Sequence, residues 1–156
     1  MLDSPRLIQI IASNIHFVLD TNILVAAVRS PSGASAEILR QAIQGKLGVL
    51  CSVPLFLEYE SVLLRPEQLS AAKVNATEVG NLLNVLAGFV KRVDIQFLWR
   101  PQLRDANGDM VLELAVNGLG LGKPVTILTT NLKDFAPQAS SLGIMVLTPR
   151  QFFQGV

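Results

Sequence analysis

Short apolar runs alternate along this chain with longer segments in which apolar residues recur at helical spacing. The short runs predict five strands, at 15–19, 48–51, 93–95, 125–129 and 144–147. The longer segments predict helices at 23–28, 36–44, 53–64, from 76 onward, 110–116 and from 151. The segment 97–108 is predicted to be a loop rich in arginine and acidic residues. Strands that alternate with helices are typical of βαβ units, so we expect an α/β fold with a mainly parallel sheet and right-handed crossovers.

Polar residues at the predicted helix starts have the identities that cap helices. Ser35 and Ser52 are predicted N-caps, and Pro54 fits the first turn of the helix that Ser52 begins. Asn75 and Glu78 have the spacing of a capping box. The helix starts are therefore predicted from capping chemistry as well as from periodicity.

Length and composition indicate one domain with a well-covered sheet. The 156 residues suffice for a single domain, 1–156, and leave too little chain for two. Half of the residues are apolar and 16% are charged, below the usual share of about a quarter. We therefore expect helices on both faces of the sheet and an apolar surface for a partner, with a homodimer as the expected assembly.

The composition also excludes several classes of function. No apolar run approaches the roughly 20 residues that span a bilayer, and residues 1–15 lack the features of a signal peptide. Cys51 is the only cysteine, which excludes an internal disulfide and fits a cytoplasmic location. A single histidine and a single cysteine exclude the usual zinc sites but leave Mg²⁺ or Mn²⁺ open. Because the net charge is only +1, a nucleic acid would be held by a local basic patch or by metal.

Acidic and amide side chains stand at the junctions between predicted strands and helices. Asp20 follows the first strand, Asp109 precedes a later helix, and Asn131 and Asp134 follow the fourth strand. The carboxyl ends of parallel strands share one edge of the sheet, so these groups are expected to converge there. Clustered carboxylates repel each other unless a cation compensates, and hard oxygen ligands select Mg²⁺ or Mn²⁺.

Alternatives stay open for several of these residues. Glu58 and Glu60 lie about 200° apart on their predicted helix, so only one of them can face the site, and periodicity does not decide which. Aspartate and asparagine at a helix start are also ordinary capping residues. His16 is in a strand and is predicted to be structural. The basic residues that flank the proposed edge and are candidates for phosphate contacts are Arg29, Arg100, Arg104 and Lys133.

Five segments resemble a known family in their order and spacing. They are residues 17–22, 57–66, 104–115, 129–135 and 147–153, which include the sequences FVLDTN, LEYESVLLRP and TTNLKDF. Together they resemble the PIN-domain family, in particular its bacterial toxin-like branch, over about 15–153 of the chain. The resemblance implies a single PIN-like domain, a three-layer α/β/α sandwich with a parallel sheet.

The resemblance also implies an activity and a set of site residues. The implied activity is Mg²⁺- or Mn²⁺-dependent cleavage of RNA phosphodiester bonds, often by the toxin of a toxin–antitoxin pair. RNA and a small antitoxin protein are therefore the expected partners. By resemblance, the metal-binding acids are Asp20, Glu58 and Asp109, and Asn131 takes the fourth catalytic position. The supporting residues are Thr21, Asn22, Asp105, Thr129 and Asp134.

Two positions depart from the family pattern. Gly108 stands where members of this branch often have an acid, and Asn131 stands where many PIN domains have aspartate. They motivate an alternative function, a PIN-fold module that has lost catalysis and binds RNA or protein. A third hypothesis is a phosphatase or receiver-type domain with Asp20 as phosphoacceptor. It ranks lowest because such phosphatases normally have a second aspartate where Asn22 stands.

Overall fold

Five parallel strands form the central sheet in the part of the chain that this computed structural model describes, residues 14–96 and 106–154. The strands are β1 His16–Leu19, β2 Gly48–Cys51, β3 Lys91–Arg92, β4 Val125–Leu128 and β5 Met145–Leu147. The helices are α1 Thr21–Arg29, α2 Ala34–Ile43, α3 Val53–Leu63, α4 Pro66–Ala72, α5 Ala76–Ala87, α6 Ala106–Gly118, α7 Ala136–Ser141 and α8 Pro149–Gln154, with 3₁₀ turns at Leu119–Leu121 and Leu132–Asp134. The predicted residues that lie outside the described part of the chain are Arg100, Arg104 and Asp105.

The strand order β3-β2-β1-β4-β5 places β1 in the middle of the sheet, and each pairing is parallel. His16 pairs in register with Gly48 of β2 and with Val125 of β4. The residues of β1 and β4 are buried throughout, as expected for parallel strands that are covered on both faces. The hydrophobic core is therefore centred on these two strands.

Helices cover both faces of the sheet. The chain runs from β1 to β2 and β3 in one direction and then returns over the sheet to β4 and β5. With right-handed crossovers, α1 to α5 therefore lie on one face and α6 and α7 on the other, where α6 packs across β1, β2 and β4. The predicted three-layer α/β/α arrangement with a parallel sheet is confirmed. In the described residues no helix is long and apolar enough to cross a bilayer.

The direction of the chain across the sheet reverses between the neighbouring strands β1 and β4. The segment after β1 leads to α1 on one face, whereas the segment after β4 leads to α7 on the other. The carboxyl ends of the two strands therefore open a crevice between them, which is the usual place for a ligand in an open α/β sheet. Asp20 follows β1 and Thr129 follows β4 at this crevice.

The capping predictions are confirmed at two helices. The Ser52 hydroxyl accepts a hydrogen bond from the Leu55 N–H at 3.3 Å at the start of α3. Asn75 and Glu78 form the reciprocal hydrogen bonds of a capping box at the start of α5. Side-chain acceptors at these helix starts satisfy N–H groups that have no partner within the helix.

Two other predicted boundaries are wrong. α2 begins after Gly33 instead of after Ser35, which is buried inside the first turn. The third strand lies at 91–92 instead of 93–95, because the chain leaves the sheet after the Val93 N–H has donated to the Cys51 carbonyl at 2.8 Å. The apolar run that begins at Val93 therefore reflects the burial of this residue and not the position of the strand.

The helical content is larger than predicted. α6 begins at Ala106 instead of at 110, so Asp109 lies in its first turn and is not its N-cap. The asparagine and glycine in this stretch favour turns in isolation, and the helix forms there in spite of them. α4 was also missed, because Arg65 and Pro66 indicated only the end of the preceding helix. Pro66 occupies the first turn of α4, where backbone N–H groups have no partner within the helix and a proline is therefore tolerated.

Candidate functional site at the carboxyl edge of the sheet

Asp20 is the first residue after β1 and lies at the crevice between β1 and β4. It occupies the N-cap position of α1 with an extended backbone (φ −62°, ψ 145°), and its carbonyl accepts the Ile23 N–H at 2.9 Å. Its side chain makes no capping hydrogen bond to α1, whose first turn is described in full. The carboxylate instead accepts the Thr129 hydroxyl at 2.8 Å, and Asp20 is only 7% exposed. A capping role therefore does not account for this acid.

The Thr129 hydroxyl connects the segment after β4 to Asp20 and Asn22 at the start of α1. A hydroxyl has one hydrogen to donate and two lone pairs that accept. The lone pairs accept the Asn131 N–H at 3.1 Å and the Asn22 amide at 3.5 Å. The single hydrogen is therefore donated to Asp20 Oδ2. Because Thr129 is fully buried, the orientation of the Asp20 carboxylate is fixed from within the protein.

The segment after β4 carries two further predicted residues. Asn22 Oδ1 accepts the Thr130 N–H at 3.2 Å, which connects the start of α1 to this segment. Asn131 donates its side-chain amide to Asp134 Oδ2 at 3.0 Å, and both of these side chains are exposed. Asn131 and Asp134 therefore form a hydrogen-bonded pair on the solvent side of the crevice.

Glu58 reaches the site from α3, which Tyr59 holds against the end of β1. The buried Tyr59 hydroxyl donates to the carbonyl of Leu19, the residue before Asp20. Burial raises the pKa of Tyr59 well above its usual value, and its proximity to the ionisable groups of Cys51 and Asp20 raises it further. The phenol therefore keeps its proton and its hydrogen bond. Glu58 precedes Tyr59 and Asp20 follows Leu19, and both acids line the same cavity.

The structure distinguishes Glu58 from Glu60. Glu58 is half-buried and lines the cavity, whereas Glu60 is exposed and does not line it. Among the described residues, Glu58 Oε1 is buried without a hydrogen-bond partner, and so is the Thr21 hydroxyl oxygen. Buried polar atoms seldom lack a partner, because each loses its hydration without compensation. These two oxygens therefore favour a ligand in the cavity.

The cavity at this edge has a volume of about 220 Å³. The described residues that line it are Asp20, Thr21, Asn22, Val25, Glu58, Val62, Arg65, Gly108, Asp134 and Phe135. The sequence predicted half of this set, and Val62 and Arg65 are among the residues that it did not predict. Both follow Glu58 at helical spacing, four and seven residues on, and this spacing was the signal that could have identified them.

Asp109, the predicted third acid, is not among the cavity-lining residues. It is 3% exposed in α6, next to Gly108, which does line the cavity. Glu113, one turn further along α6, is 2% exposed and was not predicted, although its spacing from Asp109 places both on one helix face. Within residues 14–96 and 106–154, no three His, Cys, Asp or Glu side chains form a group that could hold a metal ion. The structure thus brings Asp20 and Glu58 to one cavity and places Asp109 in the adjoining helix.

The oxygen donors of the cavity suit a hard divalent cation. Mg²⁺ is commonly held by one or two carboxylates, with waters and substrate phosphate completing its coordination shell. Asp20 and Glu58 supply two carboxylates, and Thr21 supplies an unpartnered hydroxyl oxygen among the described residues. The residues present therefore fit Mg²⁺ or Mn²⁺ by their chemistry.

Three further residues considered in the sequence, His16, Arg29 and Lys133, do not line this cavity. His16 is at the opposite end of β1, and burial, followed by the charges of Lys123 and Lys91, lowers its pKa. Arg29 donates to Gln68 Oε1 at 2.7 Å and does not line the cavity. Lys133 is exposed and does not line it either.

The fold and the cavity define a class of protein. It is an α/β domain with a parallel sheet and a polar, acid-containing crevice between β1 and β4, where the direction of the chain across the sheet reverses. The family model described as the PIN domain matches residues 16–133, so the chain belongs to the PIN-domain family. No curated protein matches the chain significantly. A solved structure of similar fold is that of VapBC2 from Rickettsia felis bound to a DNA fragment from their promoter, with 16% identity, a TM-score of 0.56 and coverage of 85% of this chain and 98% of that chain. The predicted family resemblance is confirmed, and at this identity the similarity to VapBC2 concerns the fold.

Proposed function

We propose that the chain is a metal-dependent ribonuclease that cuts single-stranded or looped RNA, as the toxin of a toxin–antitoxin pair. The observation that carries the proposal is the cavity shared by Asp20 and Glu58, in which Glu58 Oε1 is buried without a partner among the described residues. Membership of the PIN-domain family supports the nuclease activity. The position of the cavity at the carboxyl edge of the sheet, where α/β proteins bind ligands, supports it independently.

In this proposal Asp20 and Glu58 hold one Mg²⁺ or Mn²⁺. When bound, such an ion lowers the pKa of water and neutralises the charge of the phosphate, and both effects speed phosphodiester hydrolysis. Asp109 is proposed as the third acid of the site, and it is buried next to the cavity-lining Gly108. Its proposed contribution is negative charge that favours a cation at Asp20 and Glu58.

The remaining residues are proposed to position these acids and the substrate. The Thr129 hydroxyl orients the Asp20 carboxylate, and Asn22 in turn orients Thr129. The proposed role of the Asn131–Asp134 pair is to orient water on the solvent side of the crevice. Asp105 and Thr21 keep the supporting roles that the family resemblance implies.

The variant Asp20→Asn tests the proposal most directly. The amide has nearly the same shape without the charge, so we expect metal binding to be lost and RNA cleavage to fall by at least about 100-fold. Calorimetric titration with Mn²⁺ and cleavage of a labelled RNA measure the two effects, and circular dichroism checks that the fold is intact. Adding EDTA to the wild type should also stop cleavage.

The matched control for this variant is Asp94→Asn. Asp94 is an exposed aspartate outside the cavity lining that pairs with Arg92 at 3.1 Å. Its replacement should leave metal binding and cleavage unchanged. Cleavage by Asp20→Asn at the wild-type rate would contradict the proposed function.

A second candidate function is a PIN-fold module that binds RNA or protein without cleaving it. Gly108 favours this function because it lines the cavity at a position where this branch often has an acid. Asn131 favours it because its amide is already bonded to Asp134. The titration separates the two functions, since a module without catalysis should show no Mg²⁺ or Mn²⁺ site that depends on Asp20 and Asp109.

We also propose a small antitoxin as a protein partner, a homodimer as the assembly and the cytoplasm as the location. The fold similarity to VapBC2 supports the antitoxin. The exposed apolar residues Val53 and Leu57, at 48% and 56%, border an apolar cavity of about 250 Å³ beside α3 and support a protein contact on that side. This cavity is separate from the one that contains Asp20.

A further inference from the structure

Arg65 lies at the rim of the acidic cavity, between α3 and α4. It follows Glu58 and Val62 at intervals of one helical turn, and all three residues line the cavity. Of the described residues that do so, Arg65 carries the one positive charge, whereas Asp20, Glu58 and Asp134 are acids. Its side chain is exposed, so a ligand that enters from solvent can reach it.

The backbone of Arg65 is held in place on both sides. Its N–H donates to the Val62 carbonyl at 3.3 Å, and its own carbonyl accepts the Gln68 N–H at 2.9 Å. Because Pro66 follows, Arg65 is restricted to the extended conformation that it adopts (φ −60°, ψ 135°). Arg29 also donates to the buried Gln68 side chain at 2.7 Å, which joins α4 to α1. The guanidinium therefore extends from a fixed point at the cavity rim.

The Arg65 guanidinium makes no ion pair or hydrogen bond within residues 14–96 and 106–154. Glu58 is one of the acids that share its cavity, yet the Glu58 Oε1 atom has no partner there either. An arginine beside acids that does not pair with them keeps its donors available for an external anion. Guanidinium groups bind phosphate through two parallel N–H donors, so a phosphate diester is the anion that they suit.

We infer that Arg65 binds a backbone phosphate of the RNA next to the one held at Asp20 and Glu58. This inference rests on the proposed function. Carboxylates repel a polyanion, so a cation at the rim attracts the strand and sets its position over the acids. A contact to a phosphate carries no base information, so Arg65 contributes affinity and position without sequence preference.

The test uses a short single-stranded RNA of mixed sequence and three variants, Arg65→Gln, Arg65→Lys and the control Arg150→Gln. Arg150 is an exposed arginine outside the cavity lining, so its replacement removes the same charge elsewhere. Binding is measured at several salt concentrations in the Asp20→Asn background, which keeps the RNA intact. kcat and KM are measured with Asp20 present.

Arg65→Gln should weaken binding about tenfold, as expected for loss of one charge-assisted contact. It should also reduce the slope of log K against log salt by about 0.7, the value for one phosphate of a single strand. KM should rise with little change in kcat. Arg65→Lys should restore the slope but only part of the affinity, because lysine cannot form the bidentate contact. Arg150→Gln should match the parent protein.

The outcomes separate this inference from the proposed function. If Arg65→Gln has the affinity, salt slope and KM of Arg150→Gln, the proposed contact between Arg65 and a phosphate is contradicted, even when the wild type cleaves RNA. If the wild type does not cleave RNA but its binding depends on Arg65 as described, the nuclease proposal is wrong and the contact holds. An RNA that does not bind at all overturns both.

Discussion

β1 has a buried polar residue at each end, because it begins with His16 and is followed by Asp20. The two residues are equally buried but differ in their surroundings. Asp20 and His16 are each 7% exposed and lie roughly 13 Å apart at 3.3 Å per residue. Asp20 accepts a hydrogen bond from Thr129 and shares its cavity with Glu58. His16 has a buried Nδ1 without a partner among the described residues, near lysine charges that disfavour its protonated form.

Burial of a polar side chain is therefore common to both ends of β1 and does not distinguish them. The carboxyl end of β1 differs because segments from α1, α3, α6 and β4 converge there, each with a polar or cavity-lining residue. The direction of the chain reverses between β1 and β4 at that end, which opens the crevice. At the amino end His16 lies beside Gly48, where an added Cβ would come within 3.2 Å of the imidazole. A side chain at position 48 would therefore crowd His16.

The largest expected effect comes from Glu58→Gln compared with Glu60→Gln. Both variants remove one carboxylate from α3, but only Glu58 lines the cavity. Glu58 is proposed to bind the metal directly, so its loss should reduce cleavage more than the loss of a residue that only orients a metal ligand. Cleavage by Glu58→Gln should therefore fall by more than about 100-fold. Glu60→Gln should cleave at the wild-type rate. Single-turnover cleavage of a labelled RNA measures both, and equal rates for the two variants would remove Glu58 from the site.

An intermediate effect is expected for Thr129→Val, which deletes the hydroxyl that orients Asp20. Cleavage should fall about 10- to 100-fold, as for other groups that orient a metal ligand. The Asn131 N–H and the Asn22 amide also lose their acceptor, so the free energy of unfolding should fall by about 1–3 kcal/mol. Urea unfolding and single-turnover cleavage measure the two effects.

Thr126→Val is the matched control for this change. Thr126 is also buried in β4, at 3% exposure, but it is outside the cavity lining. Its replacement should leave cleavage close to that of the wild type. Should both variants cleave equally well, the Thr129 hydroxyl would have no role in positioning Asp20.

The sequence predicts the carboxyl end of β1 well and the elements around it less well. Asp20 is predictable because a buried strand followed at once by an acid is a local pattern. The Tyr59–Leu19 hydrogen bond is not predictable in this way, since it depends on how α3 packs against β1. For that reason periodicity left Glu58 and Glu60 undecided, and the family resemblance was needed to choose between them.

The start of α6 shows the same limit. Asp109 was predicted to cap this helix, but the helix begins at Ala106 because tertiary packing outweighs the local turn preference of the glycine and asparagine there. Asp109 therefore enters the first turn, where it is buried and is not among the residues that line the cavity. Arg65 was missed because its helical spacing from Glu58 indicates the cavity only once Glu58, and not Glu60, is known to face it.

The smallest expected effect concerns the amino end of β1 and the pH dependence of stability. The pKa of His16 is lowered in the folded protein by burial first and then by Lys123 and Lys91. The unfolded chain therefore binds a proton more readily than the folded one, near the ordinary histidine pKa of about 6.5. The contribution of neutral His16 to stability is then full above about pH 6.5 and is lost as the pH falls below it.

His16→Gln isolates this contribution, because His16 is the only histidine in the chain. Urea unfolding of the wild type should show a lower free energy of unfolding at about pH 5.5 than at about pH 7.5, and the variant should show a smaller decrease. RNA cleavage should respond little to the substitution, since His16 is at the opposite end of β1 from the cavity. If the variant loses as much stability on acidification as the wild type, protonation of His16 is not what destabilises the fold. If it loses cleavage while it remains folded, the contrast between the two ends of β1 is wrong.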